Sequence, residues 1–384
     1  MSDETRTPGA YPAGRAVAQR VQDHFIRHLG SAGLRAGEPT APLPDLAAIE
    51  ELIEAGFWTS LRREEIYVPK ISIALLSASY TTHPLIFERR LPLQPHLLAR
   101  VAPAVERPGI HLGAWRDGTE LLVWGTTRDL PRYCLVLEVA APGLLVVKQH
   151  RGGEETKFAN VAVLQGDLVK VVDETASSLP DCPSLLASLL GFDSPASWGD
   201  SMNVLVQLAV SMRAHGRGGL LLVVRHDVEG WRDSIVSPLS YALNPPYTEL
   251  AELMQRPSDE RHERAWRESV TRTVEAIAGL TAVDGAAVLT ERYELLAFGG
   301  KIARRRGATP VEQVTVTEPV EGGQALTVHP SELGGTRHLS AAQFVHDQRD
   351  AVALVASQDG RFTIFAWSPC EEMVHAHRVE TLLL

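Results

Sequence analysis

The chain has 384 residues, 45% of them hydrophobic and 22% charged, which is typical of a globular protein with room for two or three domains. The formal net charge of -10 argues against general nucleic-acid binding, because recognition of the phosphate backbone depends on clustered lysines and arginines. One local basic patch, KIARRR at 301–306, is the exception.

Three cysteines, Cys134, Cys182 and Cys370, lie far apart without C-x-x-C spacing, so neither a zinc site nor a disulfide framework is predicted. The first residues, MSDETRTPGAYPAG, are polar and acidic, unlike the basic and then apolar start of a signal peptide. The most apolar runs, such as GGLLLVV, fall short of the roughly 20 residues that a membrane span needs. We expect a soluble, cytoplasmic protein with no membrane partner.

Two helices are predicted near the amino terminus, at 14–30 and 46–63, because apolar residues recur there at helical spacing. From residue 66 to about 173, short β-type runs alternate with turn pairs such as Asp117-Gly118, which predicts an antiparallel sheet with flanking helices. A further helix is predicted at 182–191. The stretch GFDSPASWGD, 191–200, is the best domain boundary. We therefore predict an α+β domain over 1–195 and a second domain over 200–384.

Beyond residue 200 helical and strand patterns alternate, which predicts an α/β fold class. Helices are predicted at 201–216, 250–257, 263–280 and 340–348. Strands are predicted at 218–227, at 284–300 with a bend in its middle, at 351–357 and at 361–367.

Three short motifs in this second half carry side chains suited to a polyanion and a metal: DGA at 284–286, GTRH at 335–338 and SQDG at 357–360. Asp284 could hold Mg²⁺ or Mn²⁺, with Gly285 permitting close approach of a ligand, although Asp-Gly is also an ordinary turn. GTRH opening a helix offers free N–H groups, a hydroxyl, a guanidinium and an imidazole, which together favour phosphate. The alternative is that Thr336 is simply an N-cap.

The order of these motifs resembles that of the diadenylate cyclase domain, the catalytic module of the DNA-integrity scanning protein and of membrane-bound cyclases that make cyclic di-AMP. The family's markers are DGA, then G-T-R-H-R opening a helix, then a serine-containing turn after the next strand. They stand here as DGAAVL, GGTRHLSAA and VASQDG, and LAVSMRAHGRGGLLLVV resembles the family's first helix and strand. The resemblance covers roughly residues 200 to 384.

The resemblance implies a mixed sheet flanked by helices, a homo-oligomer with facing cyclase domains, and one ATP per protomer as substrate. It implies a nucleotidyltransferase that joins two ATP into cyclic di-AMP with release of pyrophosphate, using Mg²⁺ or Mn²⁺. The implied catalytic residues are Asp284, Arg337 and His338, and the implied metal ligands are Asp284 and Asp359. The implied nucleotide-binding residues are Gly285, Ala286, Ile302, Gly335, Thr336 and Ser357.

The chain departs from the family pattern at several positions. Leu339 stands where the family has arginine after the histidine, which removes a cation from the site, and Arg304, Arg305 or Arg306 could replace it. The spacing between DGA and GTRH is longer than usual, and Val283 replaces a histidine of some members. Two alternatives therefore stay open: a weak or inactive cyclase-like sensor that binds nucleotide, and a synthase of another cyclic nucleotide.

The amino-terminal half carries no catalytic constellation. Its place before a cyclase-like domain resembles the sensor regions fused to some bacterial diadenylate cyclases, and the segment FWTSLRREE, 57–65, resembles one such class. A sensor or regulatory domain is therefore predicted. His375 and His377 alternate along a possible strand, but without a third ligand a surface role is favoured over a metal site.

Overall fold

The computed structural model describes residues 10–31, 40–63, 67–152, 158–173, 204–257 and 259–384. The predicted helix at 182–191, the predicted boundary at 191–200 and Cys182 lie outside these ranges. The chain divides into two compact units, one formed by Met1–Val172 with Leu384 and the other by Asp173–Leu383.

The amino-terminal unit is built on one eight-stranded sheet. Its helices are α1 (Pro12–Ser31), α2 (Leu46–Ser60) and α3 (Pro95–Val101). Its strands are β1 (Ile71–Leu75), β2 (Leu85–Pro92), β3 (His111–Asp117), β4 (Glu120–Thr127), β5 (Leu135–Ala141), β6 (Leu144–His150), β7 (Phe158–Gln165) and β8 (Leu168–Val171). The strand order is β2-β4-β3-β1-β5-β6-β7-β8, and β1 and β3 pair in parallel while the other described pairs are antiparallel.

The predicted apolar stripe of the second helix provides much of the core of this unit. Ile49, Leu52 and Ile53 on α2 are buried together with Phe25 of α1 and apolar residues of the central strands. Asp45 caps α2, because its carboxylate accepts a hydrogen bond from the Ala48 N–H at 3.3 Å.

The carboxy-terminal unit is a nine-stranded mixed sheet with helices. Its helices are α4 (Val204–Ala214), α5 (Glu249–Gln255), α6 (Arg264–Leu280) and α7 (Thr336–Asp347). Its strands are β9 (Gly219–Val224), β10 (Tyr241–Tyr247), β11 (Ala286–Thr290), β12 (Leu295–Gly300), β13 (Val314–Thr317), β14 (Leu326–Val328), β15 (Val352–Ala356), β16 (Phe362–Ser368) and β17 (Met373–Arg378). The order is β10-β12-β11-β9-β15-β16-β17-β13-β14, and all six residues of the central strand β9 are buried.

The α/β fold class and the mixed, helix-flanked sheet of the second unit are confirmed. The antiparallel sheet predicted for the first half is mixed instead, because β1 and β3 run in parallel. The bent strand predicted at 284–300 is a hairpin of β11 and β12, and Tyr293 in the turn has φ 68°, a conformation that strands do not contain. The exposed strand β2 was missed, because LIFERRLP has no clean alternation of apolar and polar residues.

Across the described ranges, no helix combines the length and the apolar character needed to cross a bilayer. Cys134 is a buried free thiol, and burial raises its pKa.

Candidate functional site

The three motifs converge on one edge of the carboxy-terminal sheet, which we call the motif edge. In the sheet register Ala356, the last residue of β15, pairs with Gly219, the first residue of β9. The neighbouring strand β11 runs parallel to β9, with Ala287 opposite Leu221, so Asp284 precedes its strand at the same level. Asp284 and Ser357 therefore lie at the same end of adjacent strands, although 72 residues separate them in the chain.

The GTRH helix begins at this edge and brings Arg337 to it. A Cβ atom built on Gly218 would lie 2.8 Å from Arg337 Nη1 and 3.3 Å from the Ala356 carbonyl oxygen. Gly218 has φ +72°, a backbone conformation that glycine adopts without strain. The guanidinium is thus seated against the start of β9 and the end of β15, and the missing side chain of Gly218 makes room for it.

The first turn of α7 is available to an anion. Gly335, rather than Thr336, is the N-cap, and no side chain caps the helix, so the reading of Thr336 as an N-cap is wrong. Thr336 is exposed, Arg337 is half-buried and a Cβ on Gly335 would meet nothing within 4 Å. Uncapped N–H groups with the positive end of the helix dipole favour a phosphate group.

His338 faces inward from the same turn. The residue is 3% exposed, and its ring lies edge-on to Phe365 with 6.1 Å between the ring centroids. Burial lowers the pKa of its imidazole, the positive charges of Arg361 and Arg378 lower it further, and Asp359 opposes the shift. The ring also lies where a Cβ on Gly334 would come within 2.6 Å of Nδ1. Burial against Phe365 favours the neutral imidazole, and direct contact of His338 with a triphosphate stays a prediction.

The DGA motif sits against the end of β12. A Cβ on Gly285, which has φ +115°, would come within 2.5 Å of the Gly299 carbonyl carbon, so the two backbones touch only because residue 285 is glycine. The Asp284 carboxylate is 88% exposed and lies 3.4 Å from Lys301 Nζ. Ala286 is fully buried and pairs with Gly300 in the sheet.

Ile302 directly follows Lys301, whose ammonium group lies 3.4 Å from the Asp284 carboxylate. Ile302 is half-buried and pairs with Ile235 in an isolated antiparallel bridge. Close by, Tyr241 stacks on Phe298 with 4.8 Å between centroids, and Tyr241 is 50% exposed. An apolar side chain and an exposed aromatic face are suited to a nucleobase. The assignment of Ile302 to adenine stays a prediction.

Ser357 and Asp359 occupy the turn after β15. Ser357 is half-buried, and its N–H donates to the Arg361 carbonyl oxygen at 2.9 Å. The Asp359 carboxylate forms an ion pair with Arg361, with 3.2 Å between Oδ2 and Nε. Asp359 is therefore already engaged by a cation, and its role as a metal ligand stays a prediction.

Sequence reasoning did not assign His215, Arg217 or Lys301 to the motif edge. His215 Nδ1 accepts a hydrogen bond from the Arg217 N–H at 3.1 Å, and Gln358 donates to the Arg217 carbonyl oxygen at 3.3 Å. Burial lowers the pKa of His215, and the charges of Arg217 and Arg337 lower it further. The sequence features that could have identified these residues are the turn HGRGG before β9 and Lys301 directly after β12. Neither feature indicates a site until the pairing register of the strands is known.

The structure shows where one residue of the basic patch, Arg305, lies relative to the arginine missing at position 339. The Arg305 N–H donates to Asp347 Oδ2 at 2.8 Å, and Asp347 is the last residue of α7. A 12-residue helix is about 17 Å long, so Arg305 lies at the far end from Thr336. Compensation by Arg305 within the same protomer is therefore excluded, and compensation by Arg304 or Arg306 stays a prediction. Leu339 itself is 39% exposed.

A Mg²⁺ or Mn²⁺ ion fits Asp284 by the chemistry of its donor. Within the ranges that the structure describes, no group of three or more His, Cys, Asp or Glu side chains is placed to hold a metal. Mg²⁺ commonly binds through one or two carboxylates together with substrate phosphates and water. The exposed Asp284 carboxylate suits that mode rather than a closed protein cage.

The comparison with protein families identifies the amino-terminal part of the chain. Residues 38–128 match a family model described as Probable sensor domain DACNV, which is typical of diadenylate cyclase proteins. The matched range lies in the amino-terminal unit and includes α2, α3 and β1 to β4. The prediction of a sensor domain is thereby confirmed for this range. No curated protein matches the chain.

Proposed function

We propose that the carboxy-terminal unit is a diadenylate cyclase that joins two ATP into cyclic di-AMP and pyrophosphate under the control of the amino-terminal sensor. The observation that carries the proposal is the meeting of Asp284, Arg337 and Ser357 at one sheet edge from three distant motifs. The DACNV match supports it independently, because that match involves none of the motif residues.

The chemistry requires that each 3′-oxygen forms a bond to the α-phosphorus of the other ATP while the bond from that phosphorus to the pyrophosphate oxygen breaks. Arg337 and the uncapped first turn of α7 are suited to hold the triphosphate, and Lys301 adds a further positive charge. Asp284 is suited to accept the hydroxyl proton. Because little covalent chemistry falls to the protein, positioning and neutralisation of charge supply most of the catalysis.

The reaction places one nucleotide on each protomer, so two sites must face each other in a homo-oligomer. Asp284 would hold Mg²⁺ or Mn²⁺, which when bound neutralises phosphate charge and lowers the pKa of a coordinated hydroxyl. Asp359 would join Asp284 as a ligand if its ion pair with Arg361 opened.

The proposal is tested by incubating the purified chain with mixed nucleoside triphosphates and Mn²⁺ or Mg²⁺ and identifying the products by mass spectrometry. We expect cyclic di-AMP and pyrophosphate from the unaltered chain, and loss of both from Asp284→Asn. Glu321→Gln, at an exposed glutamate in the turn before β14, is the matched control for removing one negative charge and should keep activity. Equal activity in the unaltered chain and in Asp284→Asn would contradict the role of Asp284. A different cyclic product would show that the site accepts a nucleobase other than adenine.

A second candidate function is a cyclase-like sensor that binds nucleotide without turnover. Leu339 favours it, because an exposed leucine in the first turns of α7 stands where the cyclase pattern has a cation. Calorimetry that shows tight ATP binding while no product forms under any metal condition would select this function. Absence of binding would reject both.

A further inference from the structure

The carboxy-terminal unit has a cavity at the sheet edge opposite the motif edge. Its volume is about 600 Å³, within the range of small-molecule sites. Val224, the last residue of β9, lines it, whereas Gly219 at the other end of this strand lies at the motif edge. Five residue steps along a strand span about 17 Å, so the cavity and the motif edge are separate places.

Side chains at the end of α7 hold the two walls of the cavity in place. The Asp347 side chain is fully buried, and its oxygens accept hydrogen bonds from the Arg305 N–H, Gln343 and His346 at 2.8 to 3.1 Å. Gln348 donates to the Gly230 carbonyl oxygen and the Ser234 hydroxyl, both at 2.9 Å. The cavity is therefore built by specific contacts, and both Asp347 oxygens are already in use.

The lining combines an apolar floor with an arginine rim. Val224, Val228 and Trp231 provide apolar surface, and Arg225, Arg305 and Arg349 provide positive charge. The exposed Asp350 also lines the cavity, so the three arginines outnumber the one free carboxylate. The Arg349 guanidinium lies 4.0 Å above the centroid of the Trp367 ring, which fixes its plane.

Two of these guanidinium groups are available to a ligand. Arg225 is paired with Asp227 at 3.2 Å, and the charge of the exposed Asp350 also acts on it. The side chains of Arg305 and Arg349 form no hydrogen bond or ion pair with any residue in the described part of the chain. Guanidinium forks match phosphate oxygens in a bidentate manner.

We propose that this cavity binds a small organic phosphate, with the phosphate against Arg305 and Arg349 and the apolar body on Val224, Val228 and Trp231. The site is independent of the proposed cyclase reaction, because none of its residues lies at the motif edge. The shared element is α7, which begins at the motif edge and ends with Asp347 in the cavity wall.

The experiment adds AMP to the full chain and uses hydrogen exchange to locate the peptides that AMP protects. We expect AMP to protect peptides covering 305–309 and 346–351, and this protection to persist when Arg337→Gln weakens the motif edge. Adenosine, which lacks the phosphate, should give no such protection. By calorimetry, Arg305→Gln with Arg349→Gln should weaken AMP binding to the Arg337→Gln chain by at least about tenfold.

Arg306→Gln is the matched control, because Arg306 adjoins Arg305 in sequence and does not line the cavity. Val228→Glu is a second test that keeps all arginines and places a carboxylate on the floor, and it should also abolish protection. Equal weakening by Arg306→Gln, equal protection by adenosine, or protection confined to 334–338 would each overturn the proposal. Loss of cyclase activity in Asp284→Asn with cavity protection intact would separate the two sites.

Discussion

Gly218 offers the sharpest test of how the motif edge is assembled. In Gly218→Ala the new Cβ would lie 2.8 Å from Arg337 Nη1 and 3.3 Å from the Ala356 carbonyl oxygen. The guanidinium is the end of a flexible side chain and the carbonyl belongs to β15, so we expect Arg337 to move and the sheet to stay. The substitution therefore displaces a cation from the proposed triphosphate site without removing it.

Gly218→Ala should affect two free energies, that of unfolding and that of ATP binding. Alanine in a left-handed backbone conformation costs about 1 to 2 kcal/mol of unfolding free energy, and Gly218 has φ +72°. Loss of a charged hydrogen bond from Arg337 to phosphate costs about 1.5 to 3 kcal/mol of binding free energy, or roughly tenfold to a hundredfold in the ATP dissociation constant.

Gly216→Ala separates the two effects, because Gly216 has φ +65° and a Cβ there would meet nothing within 4 Å. Both variants should lose similar stability in thermal denaturation, whereas only Gly218→Ala should lose ATP affinity in calorimetry. Equal ATP affinity in the two variants would refute the seating of Arg337 against Gly218.

Three further predictions concern other parts of the chain. Leu339→Arg should raise cyclic di-AMP turnover about tenfold or more, measured by mass spectrometry, because it restores a cation to the exposed face of the first turns of α7. Burial lowers the pKa of His111 to about 4, so the unfolded chain binds a proton between pH 6.5 and 4 that the folded chain does not. The unfolding free energy should therefore fall by about 1.5 kcal/mol from pH 6.5 to 5 through this residue, and His111→Asn, facing Ser72, should flatten that slope in denaturant titrations. Gly113→Ala should destabilise the sensor sheet by about 1 to 3 kcal/mol, because its Cβ would lie 1.9 Å from the Trp124 ring, and tryptophan fluorescence should report the shift.

Each of these predictions has a result that contradicts it. Unchanged turnover in Leu339→Arg would mean that the missing charge is irrelevant or supplied elsewhere. An unaltered pH slope in His111→Asn, compared with His83→Asn at an exposed position, would show that His111 is not the group that titrates. If the stability losses of Gly113→Ala and Trp124→Leu simply add in the double variant, the strain lies outside this contact.

Periodicity and turn residues identified most of the elements, because an amphipathic helix or a buried strand imposes its own spacing on the chain. The helix predicted at 263–280 is observed at Arg264–Leu280, and the strand predicted at 361–367 at Phe362–Ser368. The prediction of strand pairing failed, because the local sequence pattern does not indicate which distant strands pair. The parallel contact of β1 with β3 is one such case.

The motifs of the candidate site could be found in the sequence, but the directions of their side chains could not be predicted from it. His338 and Arg337 are neighbours in one motif, yet the helix turns one into the core against Phe365 and the other toward Gly218. Likewise, Arg305 was a plausible substitute for the cation missing at 339 until the Asp347 contact placed it at the opposite end of α7.

The sequence by itself determined the α/β class, the three motifs and the kind of ligand that their chemistry favours, since these depend on residue types and on spacing within single elements. Only the tertiary structure decided that Asp284, Arg337 and Ser357 share one edge, that Lys301 and Arg217 join them, and that an arginine-rimmed cavity lies at the other end of β9. The physical reason is that strand register and helix docking bring together residues far apart in the chain, and no local propensity encodes those distances.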